Sequence, residues 1–494
     1  MPSKPTTRWQ VSGYRFLVRR MEHALVRRDV RMLHDPMRSQ SRAYAAGLIL
    51  ACVVLAGCGV LALLRPQGKI GDDNKILIGK DSGAVYVVID DVVHPALNLA
   101  SARLAAGEAA KPATVKESEL GKKPRGQLIG IPGAPASLRF DKEGKGRAWT
   151  VCDTLQLDGT NKTTTSVLIG DVELGAKASA MESGNALLVK GKDATYLVYD
   201  NKRARVDMNS NAVTEALGIR NVAPRPISEG LLNAIPEVQR IEVPHIDDRG
   251  GQPGYRIGDH KIGEVVHEPG SQQYYVVLHD GRQEISQLTA NIILNSDPAA
   301  GRNPTITPYD KSESPVSTAL SVEHYPATPP SLVQIKDRPT SCLSWEPIAA
   351  AEGGGGNHAK LSLIIGVGLP MPGDARLVPL AQADGDGPKV DSVYFKPGSG
   401  AFVQGTGIEP DSQRKDSLFY IADTGVRYGI KDADAVKALG MSTESGVKQP
   451  ELAPWPIVGL LASGPTLGRQ EAMVAHDGVA PDANPAKELL KNQN

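Results

Sequence analysis

Aromatic side chains are scarce in this chain of 494 residues, and its charge is balanced. Phe, Trp and Tyr together make up 4% of the residues, and 55 Lys and Arg face 55 Asp and Glu. A nucleic-acid-binding surface combines a basic stripe with exposed aromatic rings, and the sequence shows no such combination. The composition therefore argues against a nucleic acid partner and indicates no strongly acidic or basic partner.

Long hydrophobic runs are also rare, and only one could cross a membrane. Residues 43–64 are uncharged and mostly apolar, between Arg42 and Arg65. As a helix this run spans roughly 33 Å, enough for a bilayer core of ~30 Å. The preceding tail, residues 1–42, carries ten Lys and Arg against three acids. This bias predicts a membrane protein with a cytoplasmic N-terminus and a large domain on the other side of the membrane.

Two other interpretations of this run fit less well. A cleaved secretory signal has a short basic region and an apolar stretch of about 7–15 residues. The Leu-Ala-Gly-Cys sequence at residues 55–58 matches a lipoprotein processing site, but the apolar run continues beyond Cys58. The sequence therefore favours an uncleaved single span.

Cysteine is nearly absent from the region of the chain that follows the span. Cys52 and Cys58 lie in the apolar run, which leaves Cys152 and Cys342. Two cysteines in an oxidising compartment suggest one disulfide bond between them, the alternative being two unrelated buried thiols. No CxxC pair or Cys/His ligand spacing indicates a zinc site.

The basic tail has the periodicity of one amphipathic helix over residues 8–34. Val11, Tyr14, Val18, Met21 and Leu25 recur at three- and four-residue spacing, so they share one face. The helix is predicted to end before the proline at position 36, because proline disfavours helix at the preceding residue. A basic helix of this kind either lies on anionic lipid headgroups or docks a cytoplasmic partner, and both interpretations fit the pattern.

A pattern of strand, tight turn, strand and short helix occurs four times after the span. The turn aspartates are Asp90, Asp200, Asp280 and Asp423. Aromatic and β-branched strands around Asx or Gly turns, with 51 Gly and 36 Pro in the chain, predict an α+β, mostly β fold. The two cysteines lie between the first two copies and between the last two. Their placement predicts a pseudo-two-fold body in which the ββα-type repeats share a β-rich middle layer.

No motif for catalysis or metal binding stands out. Five Gly-Lys pairs lack the earlier glycine that a phosphate-binding GxxxxGK[ST] loop requires. Asp90 and Asp91 resemble the end of a Walker B strand, although the same position is a hairpin turn in the other copies. The glycine run at 353–356 and the His-Ile-Asp-Asp sequence at 245–248 are interpreted as solvated loops. The sequence thus predicts no catalytic, cofactor-binding or metal-binding residues, and a disulfide as its one site.

Short segments match, in combination, the motifs of one known family: residues 11–17, 95–104, 130–135, 149–153, 425–429 and 464–467. On these segments the chain resembles EccB, a core membrane component of the type VII (ESX) secretion machinery. The resemblance implies a single span, a cytoplasmic N-terminus and an elongated periplasmic domain of four repeats around a central domain. It also implies a disulfide at the positions that match Cys152 and Cys342. The implied partners are EccC, EccD, EccE and further copies of the same chain.

The predicted organisation divides the chain into ten segments. These are a cytoplasmic tail helix (1–42), a transmembrane helix (43–64), a linker (65–75), repeat 1 (76–125), the first half of the central domain (126–180), repeat 2 (181–225), repeat 3 (255–300), the second half of the central domain (330–410), repeat 4 (411–445) and a C-terminal extension (446–494).

The first functional hypothesis is a membrane-anchored scaffold of the ESX inner-membrane channel and its periplasmic assembly. A second is an atypical ATPase, because family members are often labelled ATPases; the resemblance alone implies ATP binding and hydrolysis. A third is a cell-wall-binding module, which draws only on the likeness of the repeats to a phage lysin subunit.

Overall fold

The computed structural model describes residues 6–31, 36–64, 70–71, 73–140, 146–159, 162–297, 304–348, 358–385, 387–443, 446–447 and 450–479. It forms two units, Met1–Gly71 and Asp72–Asn494. The first holds two helices, and the second is called the body below.

The first unit contains Arg8–Arg27 (α1) and Pro36–Leu64 (α2). α1 ends before the predicted residue 34, because Arg28 adopts the left-handed conformation with φ of 56°. Asp29 then accepts a hydrogen bond from the backbone N–H of Arg31 at 3.0 Å, an Asx turn that replaces the helical pattern. α2 begins earlier than residue 43 because proline suits the first turn of a helix. Its apolar section, Gln40–Leu61, is long enough to cross a membrane and is not buried.

Repeat 1 of the body is a small five-stranded sheet with two helices. Its elements are Ile76–Gly79 (β1), Val85–Ile89 (β2), Val92–Ala96 (β3), Leu99–Ala106 (α3), Ala113–Val115 (β4), Glu117–Leu120 (α4) and Leu128–Ile129 (β5). β1, β2 and β3 are antiparallel, β4 runs parallel to β1 at one edge, and β5 runs parallel to β3 at the other.

The first half of the central sheet and repeat 2 follow. The central strands are Trp149–Leu155 (β6), Thr163–Ile169 (β7) and Ala178–Ala180 (β8). Repeat 2 comprises Asn185–Lys190 (β9), Thr195–Tyr199 (β10), Lys202–Val206 (β11), Asn211–Ala216 (α5), Arg225–Pro226 (β12), Glu229–Ala234 (α6) and Glu237–Ile241 (β13). β12 is parallel to β9 and β13 to β11, as in repeat 1.

Repeat 3 has the same order of elements but shorter edge strands. It comprises Val265–His267 (β14), Tyr274–Val277 (β15), Arg282–Ile285 (β16), Gln287–Ser296 (α7) and Pro308–Glu313 (α8). Its two edge strands are reduced to single parallel bridges, from His267 to Thr305 and from Arg282 to Val316.

The second half of the central sheet leads into repeat 4. Ser331–Leu332 (β17) pairs with β9, and Thr340–Pro347 (β18), Ala359–Gly366 (β19), Val378–Pro379 (β20) and Ser392–Phe395 (β21) join the central sheet. Repeat 4 comprises Gly400–Thr406 (β22), Leu418–Ala422 (β23), Val426–Gly429 (β24), Ala433–Ala438 (α9), Ser442–Thr443 (β25), Gly446–Val447 (β26), Glu451–Pro454 (β27), Trp455–Val458 (α10) and Ala462–Ser463 (β28).

The end of the described chain returns to repeat 1. Arg469–Ala472 (α11) packs on α3, and Ala475–His476 (β29) pairs antiparallel with β5. His476 Nε2 lies 2.8 Å from the carbonyl oxygen of Gly130. The segment predicted as a C-terminal extension therefore holds β27, α10 and β28 of repeat 4, followed by α11 and β29, which pack on repeat 1.

The tight turns follow from their residues. Asp90 and Asp91 have φ of 49° and 63°, and Asp200 and Asn201 have φ of 42° and 60°. Two successive residues with positive φ define a type I′ turn, whose twist matches that of an antiparallel hairpin, and Asp and Asn tolerate this region. These turns explain why the strand pairs were visible in the sequence.

The body has two halves, one with repeats 1 and 2 and the other with repeats 3 and 4, and the central sheet joins them with a local two-fold relation. Its strand order is β20-β21-β7-β6-β18-β19-β8. The β6–β7 and β18–β19 hairpins meet through β6 and β18, and β8 and β21 each pair with the hairpin of the other half. The four repeats obey the same relation, because one apolar core joins repeats 1 and 4, and another joins repeats 2 and 3.

Candidate functional site: the disulfide-bridged central sheet

Cys152 and Cys342 lie directly opposite each other on β6 and β18 and form a disulfide bond. Their side chains are 0% and 1% exposed. Leu168 and Ile364 are buried beside them, and Met371 packs on the same small core. The bond therefore joins two positions 190 residues apart at the line where the halves of the body meet.

The opposite face of the same strands carries two buried tryptophans. Trp149 and Trp345 are register partners and are both 0% exposed. They belong to one core with Leu231 of α6 and Ile457 of α10. Repeats 2 and 4 thus dock on the central sheet through their second helices.

Asp153 is fully buried next to Cys152 and links β6 to repeat 2. Its Oδ1 accepts hydrogen bonds from the hydroxyl groups of Ser228 at 2.7 Å and Thr165 at 3.1 Å, and its Oδ2 accepts one from the Ser228 backbone N–H at 2.7 Å. Ser228 is also the N-cap of α6, since its Oγ accepts a hydrogen bond from the N–H of Leu231 at 3.0 Å. The carboxyl group therefore fixes the start of α6 to the central sheet.

Burial raises the pKa of Asp153 to about 6, against the lowering effect of its hydrogen bonds and of the positive charge of Arg225. Arg225 is 3% exposed and donates to the carbonyl oxygens of Arg338 and Pro339 at 3.1 and 2.9 Å. Burial lowers the pKa of Arg225 to about 10, so its guanidinium group stays charged at neutral pH. A buried positive charge and a titratable carboxyl group thus share the junction between β6, β12 and the start of β18.

An ion pair ties the other side of the central sheet to repeat 4. Nη1 of Arg147 lies 2.7 Å from each carboxylate oxygen of Glu451, and both side chains are 10% exposed. The guanidinium carbon of Arg147 also lies 5.5 Å from the ring centre of Phe395. Arg147 comes just before β6 and Glu451 begins β27, so the pair joins the sheet to the edge of repeat 4.

The residues that the sequence offered for catalysis or metal binding do not lie close together in the described region of the chain. Asp90 and Asp91 form the turn between β2 and β3, where Asp91 pairs with Lys123 at 3.3 Å. His245 and Asp247 form an exposed pair at 3.1 Å. The described residues contain no group of three His, Cys, Asp or Glu side chains placed to hold a metal ion.

The Gly-Lys pairs are scattered as well. The pair at 79–80 lies at the end of β1, the pair at 121–122 at the end of α4, and the pair at 191–192 in the turn between β9 and β10. The pairs at 68–69 and 144–145, and the glycine run at 353–356, lie outside the described residues.

The first unit presents apolar surface on both of its helices. On α1, Tyr14, Met21 and Leu25, three of the residues predicted to share one face, are 69%, 63% and 77% exposed. On α2, Val53 and Leu61 are 62% and 60% exposed. Side chains of this kind at this density require a covering of lipid or protein.

Sequence analysis did not find Asp153, Arg225, Arg147 or Glu451. Each is one polar residue among many, and their partners lie 75 residues or more away in the chain, except for Thr165. A charged residue inside a strand whose other residues are uncharged, as Asp153 is in β6, is the one signal that could have drawn attention.

These features define a class: a membrane-anchored protein, with one candidate span in the described part of the chain, whose bulk is a repeat body that contains a buried disulfide bond. The chain matches the family model described as type VII secretion system ESX-1, transport TM domain B, over residues 3–481. It belongs to this family, EccB, and the resemblance noted from its motifs is confirmed.

Curated relatives match along nearly their whole length. The ESX-3 secretion system ATPase EccB3 of Mycobacterium tuberculosis is 38% identical over 507 residues, which cover 97% of this chain and 91% of the relative. The ESX-1 secretion system ATPase EccB1 of the same organism is 36% identical over 490 residues, covering 98% and 97%.

Two solved structures from ESX complexes match most or nearly all of the chain. A chain in the structure of an intact ESX-5 inner membrane complex has a TM-score of 0.75 at 33% identity and covers 99% of both chains. The structure of an EccB3 dimer from the ESX-3 core complex has a TM-score of 0.70 at 35% identity and covers 81% of this chain and all of that one.

Proposed function

We propose that this chain is a core membrane subunit of an ESX type VII secretion complex and acts as a scaffold. The observation that carries the proposal is the match of tail, span and body at once to a chain of an ESX-5 inner membrane complex. α2 anchors the subunit in the inner membrane, α1 lies in the cytoplasm, and the body lies in the periplasm. The ten basic residues before the span support this orientation.

Labelling of engineered cysteines tests the orientation. In a background with Cys52 and Cys58 replaced by Ala, Ser12→Cys places a thiol on α1, and Asp193→Cys places one in the exposed turn before β10. A membrane-impermeant maleimide added to spheroplasts should label the body thiol at once and the tail thiol only after lysis. Labelling of the tail thiol in intact spheroplasts would reverse the proposed orientation.

The scaffold joins its partners through two surfaces. α1 offers an apolar face to cytoplasmic domains of the core components EccC, EccD or EccE, or to the headgroups of the inner leaflet. The body self-associates in the periplasm; the related EccB3 forms a dimer. Since each described repeat docks on another repeat or on the central sheet, the body offers a rigid surface for such contacts.

Two matched variants of α1 separate partner docking from lipid binding. Tyr14→Ser with Leu25→Ser removes the apolar face, and Arg20→Ser with Arg27→Ser removes charge from the opposite side. If α1 docks a protein, the first variant loses co-purification of the other core subunits from detergent-solubilised membranes and the second retains it. Retention of all subunits by both variants would contradict a docking role for the tail.

The names of the relatives include the word ATPase, and the described residues of this chain do not fit a nucleotide. The three described Gly-Lys pairs lie at the end of β1, at the end of α4 and in the turn between β9 and β10, and Asp91 is part of a hairpin turn. We therefore assign no step to ATP. ATP turnover by the purified full-length chain that a single substitution abolishes, at constant thermal stability, would overturn this assignment. Binding to isolated peptidoglycan would likewise support the cell-wall alternative.

A further inference from the structure

An arginine occurs in the same pair of opposite residues in all four repeats. In each repeat the third strand pairs in parallel with the edge segment, which is the stretch of chain that follows the second helix. One pair of opposite residues along this contact always contains an arginine. The pairs are Val93 with Arg125 in repeat 1, Arg203 with Glu237 in repeat 2, Arg282 with Val316 in repeat 3, and Arg427 with Ser463 in repeat 4.

The arginine lies over an aromatic ring in every repeat. The second residue of the middle strand is aromatic in all four: Tyr86, Tyr196, Tyr275 and Phe419. The distances from the guanidinium carbon to the tyrosine ring centre in repeats 1, 2 and 3 are 5.8, 5.4 and 5.0 Å. In repeat 4, Trp455 is inserted between the two groups: it stacks on Phe419 at 5.4 Å and has Arg427 at 5.2 Å.

Where the arginine is on the third strand, it also binds the segment that holds the second helix. Arg203 donates to the carbonyl oxygen of Leu232 in α6. Arg282 donates to that of Lys311 in α8 through Nε at 3.2 Å and Nη2 at 3.0 Å, and Arg427 to that of Leu461, just after α10, at 3.2 Å. Carbonyl groups at the end of a helix lack partners within the helix, and a cation there is favourable.

We propose that this arginine is the positioning residue of the repeat. It ties the edge segment to the middle strand, and from the third strand it also ties the second helix; either member of the cross-strand pair can supply it. Opposite residues on neighbouring strands project from the same face of the sheet, so an arginine on either strand reaches the same ring. In repeat 1 the edge segment supplies the arginine, as Arg125 opposite Val93. In repeat 3 the third strand supplies it, as Arg282 opposite Val316.

The consequence differs between repeats. In repeats 2 and 4 the second helices, α6 and α10, cover Trp149 and Trp345, so Arg203 and Arg427 determine how these repeats dock on the central sheet. In repeat 3 the positioned helix is α8, which does not contribute to that core.

Moving the arginine across the pair in repeat 3 tests the proposal. Val316 is 71% exposed, so Val316→Arg is sterically free and serves as a control. In the full-length chain in detergent, Arg282→Val should speed backbone hydrogen exchange of the segment 308–316 by about fivefold or more, the effect of losing a modest local stabilisation. Combining Arg282→Val with Val316→Arg should return exchange to within about twofold of the parent.

The double variant is the decisive sample. If it exchanges as fast as Arg282→Val, or if Arg282→Val leaves exchange unchanged, the arginine is not a positioning residue. Arg220→Val, which removes an exposed arginine outside the pair, controls for loss of charge alone and should leave segment 308–316 unaffected.

Tryptophan fluorescence tests the consequence for docking. With Trp9 and Trp455 replaced by Phe, only the two buried tryptophans report. Arg203→Lys should increase their quenching by acrylamide, because lysine lacks the planar fork that reaches ring and carbonyl together. Arg282→Lys should leave quenching unchanged. Equal quenching in both variants would refute the role of Arg203 in docking repeat 2.

Discussion

Removal of the Cys152–Cys342 disulfide should destabilise the body by an amount that follows from the chain length it encloses. The bond closes a loop between residues 190 apart. Loss of chain entropy in the unfolded state then gives an upper limit of about 5 kcal/mol. Because both side chains are buried, alanine is the better replacement: serine would bury two hydroxyl groups without partners. The expected loss for Cys152→Ala with Cys342→Ala is therefore about 3–5 kcal/mol.

Thermal unfolding of the full-length chain in detergent measures this loss. If the body of about 420 residues unfolds as one unit, its unfolding entropy is roughly 0.9 kcal/mol per degree, and the apparent Tm falls by about 3–6 °C. Unfolding in smaller units makes the shift larger. Cys52→Ala with Cys58→Ala, which changes only α2, is the matched control and should leave the body transition in place.

Two results would refute the reasoning. One is a double alanine variant whose apparent Tm lies within about 1 °C of the parent, a shift below 1 kcal/mol. It would mean that β6 and β18, with the interlocked repeats, hold the halves together without the bond. The other is a reduced parent protein whose transition differs from that of the double variant, since both lack the same covalent link.

Three further predictions concern single contacts. Asp153 has a folded-state pKa of about 6, above its value in the unfolded chain. Its contribution to stability is therefore fully present below about pH 4 and is lost as pH rises through 6. The apparent Tm of the parent minus that of Asp153→Asn should shrink between pH 4 and pH 7. Arg147→Met removes the guanidinium group that pairs with the buried carboxylate of Glu451 and should cost about 3–5 kcal/mol, whereas adding Glu451→Met should recover most of the loss in apparent Tm. Asp91 has φ of 63°, so Asp91→Gly should preserve the apparent Tm and Asp91→Val should lower stability by about 1–2 kcal/mol; the reverse order would exclude the turn assignment.

The sequence predicted the elements of the fold that local chemistry encodes. The hairpins of repeats 1 and 2 were visible because their turns need residues that accept positive φ, and Asp90-Asp91 and Asp200-Asn201 adopt that conformation. Local chemistry also fixes the helices that follow: Asn98 and Asp432 accept hydrogen bonds from the backbone N–H groups of Ser101 and Ala435 and so cap α3 and α9. The span was predicted from composition alone.

The remainder depends on contacts that no local pattern records. The edge strands of the repeats are as short as Arg225–Pro226 and Ala462–Ser463, too short to show any alternation. The predicted pattern of strand, turn, strand and helix did not include the first strand of each repeat. The repeat unit in the structure is therefore longer than the predicted one. The buried contacts of Asp153 were out of reach because Ser228 lies 75 residues away.

The two-fold relation of the body is one of backbone and not of side chains. At one junction, Arg225 on β12 donates to backbone carbonyl groups just before β18. At the equivalent junction, Glu451 on β27 binds the side chain of Arg147 just before β6. Backbone carbonyl groups are present whatever residue stands there, so substitutions before β18 preserve the first junction. The second needs two matched side chains, and any change at Arg147 must be compensated on repeat 4. A scaffold with this asymmetry presents two chemically different ends from one duplicated fold, and the repeat 4 end is the more sensitive to substitution.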